Sequence, residues 1–245
     1  NDVTWYRMAV IEFQKKGLQL NKLGKGDYWG SKFEIIEQNL VCQKQLGSCD
    51  FLPLHGLTGI MLINRYDPEY TVYRVELPKF MYQTTDSVAD FENLFEFRQT
   101  LISYNFGEKF QMIPAPTKDE NGNRIECEGC NLHLHLYSSK RHDSTPRANT
   151  EAPGIILASG SIGKFLADED DGSSKVGVFV SENAGFEWRM IASGSHVFEI
   201  LDRGSIIVIA KSKAETTSIR YSLDTGRTFQ ELEINKDPFE VISFT

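Results

Sequence analysis

One short sequence motif occurs twice, as Ser181-Glu182-Asn183-Ala184-Gly185-Phe186-Glu187-Trp188 and as Ser222-Leu223-Asp224-Thr225-Gly226-Arg227-Thr228-Phe229. Both copies read Ser-x-Asp/Asn-x-Gly-x-x-aromatic, and their serines lie 41 residues apart. Each copy follows a strand-like run, at residues 176–180 and 218–221. A turn motif that recurs every ~40–45 residues after a strand is typical of the blades of a β-propeller.

A third, less regular copy follows the strand-like residues 99–102, at Ser103-Tyr104-Asn105-Phe106-Gly107-Glu108-Lys109-Phe110. Asp or Asn can bond its own backbone and tolerates the left-handed region, and Gly takes positive φ without steric cost, so the motif predicts a hairpin turn. This motif is the Asp-box, which occurs in both enzymes and non-enzymes and so predicts fold rather than chemistry. The residues expected to build the three turns are Ser103, Asn105, Gly107, Phe110, Ser181, Asn183, Gly185, Trp188, Ser222, Asp224, Gly226 and Phe229.

The composition suits a protein of many strands and turns. The 245 residues include 16 Phe, 9 Tyr and 19 Gly, and 40% of the chain is hydrophobic. A net charge of −8 argues against nucleic acid as a partner, which would require a basic face. No signal peptide and no apolar run of ~20 residues is present in the sequence. Both ends read as interrupted elements, so the chain is expected to be part of a longer protein.

Residues 113–153 are polar and rich in turn-forming residues. We interpret them as a long loop insertion within one blade, which explains why the first and second boxes are further apart than the second and third. The chain is therefore predicted to be all-β, a single partial propeller domain over residues 1–245 that contains about four blades.

Four segments resemble the sortilin-type vacuolar protein sorting receptors. They are the Cys-His segment at 127–136, the Ala-Pro-Gly strand and turn at 152–163, the box entry at 178–181 and the Leu-Asp-x-Gly strand at 201–208. The resemblance is dense from residue 56 onward and nearest to the sortilin-related branch. It implies a ten-bladed propeller in the luminal region of a type I membrane receptor, at the Golgi, endosomes or cell surface.

The resemblance also implies partners. Receptors of this family carry peptide or propeptide cargo and use no cofactor, and their membrane anchor would lie in a segment absent from this chain. Their arginine that clamps a peptide carboxylate has no match near Gln38, so the ligand-binding residues stay unknown. Because such receptors release cargo in acidic compartments, we expect the histidines, above all His133 and His135, to sense pH.

The cysteines have two interpretations. Cys127 and Cys130 have metal-site spacing, and a zinc site with His133 and His135 is conceivable. In the oxidising lumen that the resemblance implies, Cys42, Cys49, Cys127 and Cys130 would instead form disulfides, with the connectivity open. The acidic run at 168–171 does not follow the spacing of a calcium loop and is interpreted as a solvated loop.

Three functions compete. The first is a cargo receptor without enzymatic activity. The second is an Asp-box glycoside hydrolase of the sialidase type, which needs an arginine cluster and a tyrosine nucleophile; the arginines here are scattered. The third is a soluble propeller scaffold. No Gly-x-Ser-x-Gly, phosphate-loop or dinucleotide motif is present in the sequence.

Overall fold

A computed structural model describes residues 7–15, 18–27, 29–30, 32–43, 48–69, 97–138, 145–168 and 175–244. The strands, in chain order, are β1 (Arg7–Lys15), β2 (Leu18–Gly26), β3 (Phe33–Leu40), β4 (Cys42–Gln43), β5 (Ser48–Cys49), β6 (Phe51–Pro53), β7 (Met61–Tyr66), β8 (Arg98–Ser103), β9 (Gln111–Pro114), β10 (Asn131–Leu134), β11 (Arg147–Ala148), β12 (Ile156–Gly163), β13 (Lys175–Ser181), β14 (Arg189–Ser193), β15 (His196–Leu201), β16 (Ile206–Lys211), β17 (Glu215–Thr216), β18 (Ser218–Ser222), β19 (Gln230–Glu233) and β20 (Phe239–Glu240). Their pairings are antiparallel. The predicted all-β, propeller-type fold is confirmed.

The strands form three consecutive units that each contain one Asp-box, here called the first, second and third blades. The first blade contains β7, β8 and β9, with β6 and the end of β3 pairing the other side of β7; the second contains β10, β12, β13 and β14; the third contains β15, β16, β18 and β19. In every blade the box turn joins the last two strands. The meander β1–β2–β3 precedes the first blade. Strand β2 continues through Gly24, Lys25 and Gly26.

Strand β9 connects the first blade to the second. Gln111 and Met112 pair with β8, whereas the next two residues, Ile113 and Pro114, pair with β10. The predicted loop insertion at about 113–153 is therefore interrupted by β10, which is the first strand of the second blade, and by the short β11. The alternation of polar and apolar residues at 131–136 is typical of a strand, and the side chains of β10 are almost entirely buried.

Alternate residues along the central strands enter two different cores. Ile156 and Phe179 belong to the core between the first and second blades, together with Ile102 and Ile113. Their neighbours along the same strands belong to the core between the second and third blades; these are Leu157, Val178 and Val180. Because side chains alternate across a strand, one sheet fills both of its flanking cores. The second blade is consequently buried on both faces.

Each box glycine packs against the sheet that precedes it. A Cβ at Gly185, whose φ is +92°, would lie 2.6 Å from Ile102 Cδ1 of the first blade. The same substitution at Gly226 would meet Ile191 Cγ2 at 3.0 Å, and at Gly107 it would meet Ile36 Cδ1 at 2.9 Å. The glycines therefore serve two needs, a left-handed backbone and a close approach between sheets.

The close approach can be measured separately from the backbone strain. Gly122 has φ +82°, and a Cβ added there would meet no atom within 4 Å, so Gly122→Ala carries only the left-handed penalty, about 1–2 kcal/mol. Gly185→Ala adds an overpacking cost of about 1–3 kcal/mol against Ile102. We expect urea unfolding to give a larger loss of stability for Gly185→Ala than for Gly122→Ala.

A double variant completes this test. Ile102→Val removes the methyl group that the new Cβ would touch, so it should cost less in the Gly185→Ala background than in the unaltered chain. Equal losses for the two alanine variants, or strict additivity with Ile102→Val, would contradict packing between the blades at this glycine.

Candidate functional site

The three box turns share one hydrogen-bond pattern. In the second box, Ser181 Oγ accepts the N–H of Gly185 at 2.8 Å, and Asn183 Oδ1 accepts the N–H of Glu187 at 2.8 Å. The serine hydroxyl also donates to Asn183 Oδ1 at 3.1 Å. Equivalent bonds occur in the other two boxes, from Gly107 and Gly226 to Ser103 and Ser222, and from Lys109 and Thr228 to Asn105 and Asp224.

The left-handed backbone begins one residue later than the sequence suggested. The residue between Asn or Asp and Gly takes positive φ, with values of +59° at Phe106, +61° at Ala184 and +57° at Thr225. The Asn or Asp side chain instead acts as an acceptor that closes the turn. In the third box the backbone N–H of Thr228, followed by its hydroxyl and that of Ser222, lowers the pKa of Asp224.

The terminal aromatic of each box has a different environment. Trp188 is only 7% exposed, and its Nε1–H donates to the carbonyl of Gly185 at 2.9 Å. Phe110 is half-buried at the edge of a core. The position of Phe229 in the box predicts a buried ring, but Phe229 is also only half-buried, with the Arg220 guanidinium 4.8 Å from the ring centroid. The third blade covers this ring with a cation instead of a hydrophobic side chain.

Trp188 is expected to stabilise the fold rather than to bind ligand. Trp188→Ala should lower the free energy of unfolding by about 3–5 kcal/mol, because it opens a cavity and removes the bond to Gly185. Trp188→Phe keeps most of the volume and should cost distinctly less. Chemical denaturation followed by far-UV circular dichroism measures both changes, and a normally stable Trp188→Ala variant would contradict the structural role.

Side chains on neighbouring box turns contact each other across the blades. The Tyr104 ring stacks on Phe186, with centroids 4.1 Å apart and planes inclined by 7°, and the Tyr104 hydroxyl donates to the carbonyl of Gly185 at 2.7 Å. From the second box, Glu182 receives Arg227 Nη2 of the third box at 2.7 Å. The boxes therefore form a continuous row of contacts along one end of the blades.

All four cysteines are in disulfides. Cys42 pairs with Cys49 across β4 and β5, and Cys127 pairs with Cys130 within a turn, which confirms disulfides and removes the thiolates that a zinc site would need. No group of three or more His, Cys, Asp or Glu side chains placed to hold a metal occurs in the described part of the chain. In the acidic run, Asp168 binds Arg98, and positions 169–171 lie outside the described residues.

A buried polar network joins the first blade to the second. Asp50 accepts the N–H of Ser138 at 2.6 Å, the hydroxyl of the same serine, and Asn64 Nδ2 at 2.9 Å. Asn64 Oδ1 accepts the Thr100 hydroxyl at 2.6 Å, and the Thr100 oxygen accepts the N–H of Leu134 at 2.8 Å. Burial raises the pKa of Asp50 above its usual value, even though these bonds oppose the shift.

His133 has a fixed, neutral state in this network. The backbone N–H of Thr100 donates to His133 Nδ1 at 3.0 Å, so the proton of the neutral ring lies on Nε2, which is 3.2 Å from the carbonyl of Lys164. Desolvation by burial lowers the pKa of His133 to about 4. The expectation that His133 titrates in a mildly acidic compartment is therefore wrong for the folded protein.

His135 contacts a hydroxyl group where His133 contacts a backbone N–H. Its Nε2 lies 3.0 Å from the carbonyl of Ala167, and its Nδ1 lies 3.1 Å from Ser159 Oγ. A hydroxyl can donate or accept, so the ring keeps both contacts in either protonation state. The Asp168 carboxylate lies 3.8 Å from Nε2 and is itself bound by Arg98 at 2.9 Å.

Residues 6–244 match the profile of the Sortilin-Vps10 family, described as sortilin, neurotensin receptor 3. This chain belongs to the Sortilin-Vps10 family. Proteins named vacuolar protein sorting/targeting protein 10 are similar to it: the Aspergillus flavus protein is 28% identical over 236 residues, that of Candida dubliniensis 28% over 229, and that of Laccaria bicolor 29% over 229. The alignments cover 93, 91 and 91% of this chain but only 14, 13 and 14% of those proteins. The predicted family is confirmed, and the chain spans about one seventh of the length of these relatives.

The described part of this family member contains no helix long and apolar enough to cross a membrane. The sequence indicated the box turns and, through the resemblance, disulfides, but it left the pairing of the cysteines open. It did not indicate the polar network of Asp50, Asn64 and Thr100, because those residues lie far apart in sequence and are brought together only when the strands align. The one part of this network that the sequence indicated is the strand at 131–136, through its alternation of polar and apolar residues.

The neutral state of His133 predicts a pH dependence of folding in this Sortilin-Vps10 domain. The unfolded ring titrates near 6.5 and the folded ring near 4, so the stability is present above pH 6.5 and is lost as the pH falls toward 4. Between pH 7 and pH 5 the loss from this residue is about 2 kcal/mol by linkage.

His133→Asn is the matched variant, because its Oδ1 can accept the Thr100 N–H but does not titrate. Urea unfolding at several pH values should show a shallower decline of stability between pH 7 and 5 for the variant than for the unaltered chain. The raised pKa of Asp50 has the opposite pH effect in both proteins and cancels in the comparison. Identical slopes would contradict the assignment.

Proposed function

We propose that this chain is part of the ligand-binding region of a vacuolar sorting receptor and that it binds extended peptide or propeptide segments of cargo proteins. The observation that carries the proposal is the family match over residues 6–244, together with relatives named for vacuolar protein sorting and targeting. On this proposal the domain faces the lumen of the Golgi, endosomes or the exterior of the cell, and its anchor lies outside the chain.

The arrangement of charged residues supports a binding role over glycoside hydrolysis. A sialidase needs several arginines that converge on one carboxylate. Here Arg65 binds Glu37, Arg98 binds Asp168 and Arg147 binds Glu199, each in a different part of the fold. Arg189 and Arg227 share Glu182 beside the box turns. These five arginines therefore act as partners for the protein's own acids.

The unpaired edge of β15 is our proposed contact for the peptide. Among the described strands β15 pairs only with β16, and Ser195 O accepts the N–H of Ser212 at that junction. Since antiparallel pairing alternates, the N–H groups of Phe198 and Ile200 point away from β16. Glu199 Oε1 occupies the N–H of Ile200 at 3.0 Å, and a peptide strand could replace it with a carbonyl.

The test uses the complete protein that contains this chain and, as probes, propeptide segments of vacuolar proteins from the same organism. Isothermal titration calorimetry at pH 7.4 and pH 5.5 should show binding at neutral pH that weakens at acidic pH. Two sets of peptides are then compared, one with N-methyl groups on the odd-numbered residues and one with them on the even-numbered residues. Only one set should lose affinity, because only every second backbone N–H of the peptide bonds the edge of β15.

Glu199→Ala should tighten binding by about 3–10-fold, because the Ile200 N–H would no longer have a competing internal acceptor, a bond of ~0.5–1.5 kcal/mol. Arg147→Ala, which removes the ion pair of Glu199 but keeps its bond to the Ile200 N–H, and Glu240→Ala, on β20, which removes one negative charge, are the controls and should leave the affinity unchanged. A fluorogenic sialoside is assayed in parallel. Turnover of the sialoside without peptide binding would overturn the receptor function, and insensitivity to both sets of N-methylated peptides would overturn the edge contact.

A further inference from the structure

The disulfide between Cys127 and Cys130 lies in an exposed turn between β9 and β10. It closes a small loop, because its two cysteines are only three positions apart. Cys127 is exposed, as are Glu128 and Gly129 of the same turn. Gly129 has φ +69°, and a Cβ added there would meet no atom within 4 Å. The turn therefore projects into solvent and is open to another molecule.

The two sulfur atoms of this disulfide differ in their access to solvent. Cys130 is partly buried and packs against the core between the first and second blades, whereas Cys127 is exposed. Thiol–disulfide exchange begins when a thiolate attacks one sulfur in line with the S–S bond and displaces the other sulfur, so access decides which one is attacked. An attack on Cys127 Sγ approaches from the side away from Cys130, which is the solvent side. Cys130 is then the leaving group.

The other disulfide lacks this asymmetry. Cys42 and Cys49 are both partly buried, both pack against a hydrophobic core, and they lie directly opposite each other on β4 and β5. Cys49 also immediately precedes Asp50 of the buried polar network. Opening this disulfide would loosen the hairpin beside that network. Opening the disulfide at 127–130 breaks no strand pairing, because neither of its cysteines lies in a strand.

Two acidic residues determine which thiols can approach Cys127. Glu126 and Glu128 flank it directly and are both exposed, and neither is in an ion pair within the part of the chain that the structure describes. Arg124, the nearest cation along the chain, is separated from Cys127 by Glu126. The two carboxylates repel an anionic thiol and attract a cationic one.

We propose that Cys127–Cys130 is a thiol–disulfide exchange site that forms a mixed disulfide with a cysteine flanked by basic residues on a partner peptide. The partner's thiolate attacks Cys127 Sγ, the bond between the two sulfurs breaks, and Cys130 leaves as a thiolate that takes a proton from solvent. The partner's sulfur is oxidised and that of Cys130 is reduced, so the step needs no further oxidant. The return attack of Cys130 on the mixed disulfide releases the partner, which makes the attachment reversible.

The experiment uses the complete protein that contains this chain and two synthetic probes, the tripeptides Lys-Cys-Lys and Glu-Cys-Glu. Each is added in excess at pH 7.4 and low ionic strength, and the reaction is stopped at early times by acid and N-ethylmaleimide. Peptide mapping by mass spectrometry follows each disulfide separately, and each rate is divided by the thiolate concentration of its probe. We expect the probe on Cys127 and the maleimide on Cys130.

The rates test both the access and the charge. Lys-Cys-Lys should open the disulfide at 127–130 about 10-fold or more faster than the one at 42–49, because access limits the second reaction. It should also react about 3-fold or more faster than Glu-Cys-Glu, and this ratio should fall toward 1 in about 0.5 M salt, where exposed charges are screened.

Matched variants separate the local acids from the net charge. Glu126→Gln combined with Glu128→Gln should remove the preference for the cationic probe. Glu215→Gln combined with Glu240→Gln removes the same charge from β17 and β20 and should keep the preference. Attachment of the probe to Cys130, equal opening of the two disulfides, or equal rates for the two probes at low salt would each overturn the proposal.

Discussion

The fit between adjacent sheets is the constraint on which the rest of the structure depends. Strands β12 and β13 have no solvent face: their alternate residues fill one core with the first blade and another with the third. A one-residue slip of either strand would exchange the two sets, Ile156 and Phe179 with Leu157 and Val178, and misfit both cores at once. The box turns matter because they hold this register at one end of each sheet. Their glycines allow the approach of the next sheet, and their serines fix the turn without occupying the interface.

The two ends of the interface between the first and second blades are stabilised by different interactions. At the box end the contacts are hydrophobic and aromatic, with Tyr104 bridging to Gly185. At the other end they are polar and buried, through Asp50, Asn64 and Thr100. A buried carboxylate is tolerated only with several donors, and Asp50 receives donors from both blades. The directional bonds of the polar end permit only one alignment of the two sheets.

Local chemistry predicted much of this molecule from its sequence. The Asp-box motifs identified the turns, because the hydrogen bonds that Ser, Asn and Gly form in that order are all within the turn. Long-range contacts explain what was missed. The four residues of β10 seemed part of a loop, because their partners Ile113 and Ser161 lie at distant positions. Phe229 is only half-buried and has the cation of Arg220 over its ring, and His133 is neutral because burial lowers its pKa while Thr100 presents a backbone donor to Nδ1. Neither partner follows from a local pattern.

The Asp-box motif combines two roles within eight residues, formation of the turn and contact with the adjacent turn. The first, third and fifth positions make the turn, with bonds that repeat almost unchanged in all three copies. The side chains at the second and sixth positions instead contact the adjacent turn, by ring stacking between the first and second boxes and by an ion pair between the second and third. A turn built in this way can be repeated many times while each seam keeps its own pair. Because a ring beside a carboxylate, or an acid beside an acid, would be a poorer match, these two positions favour the correct neighbour over the other blades of the same chain.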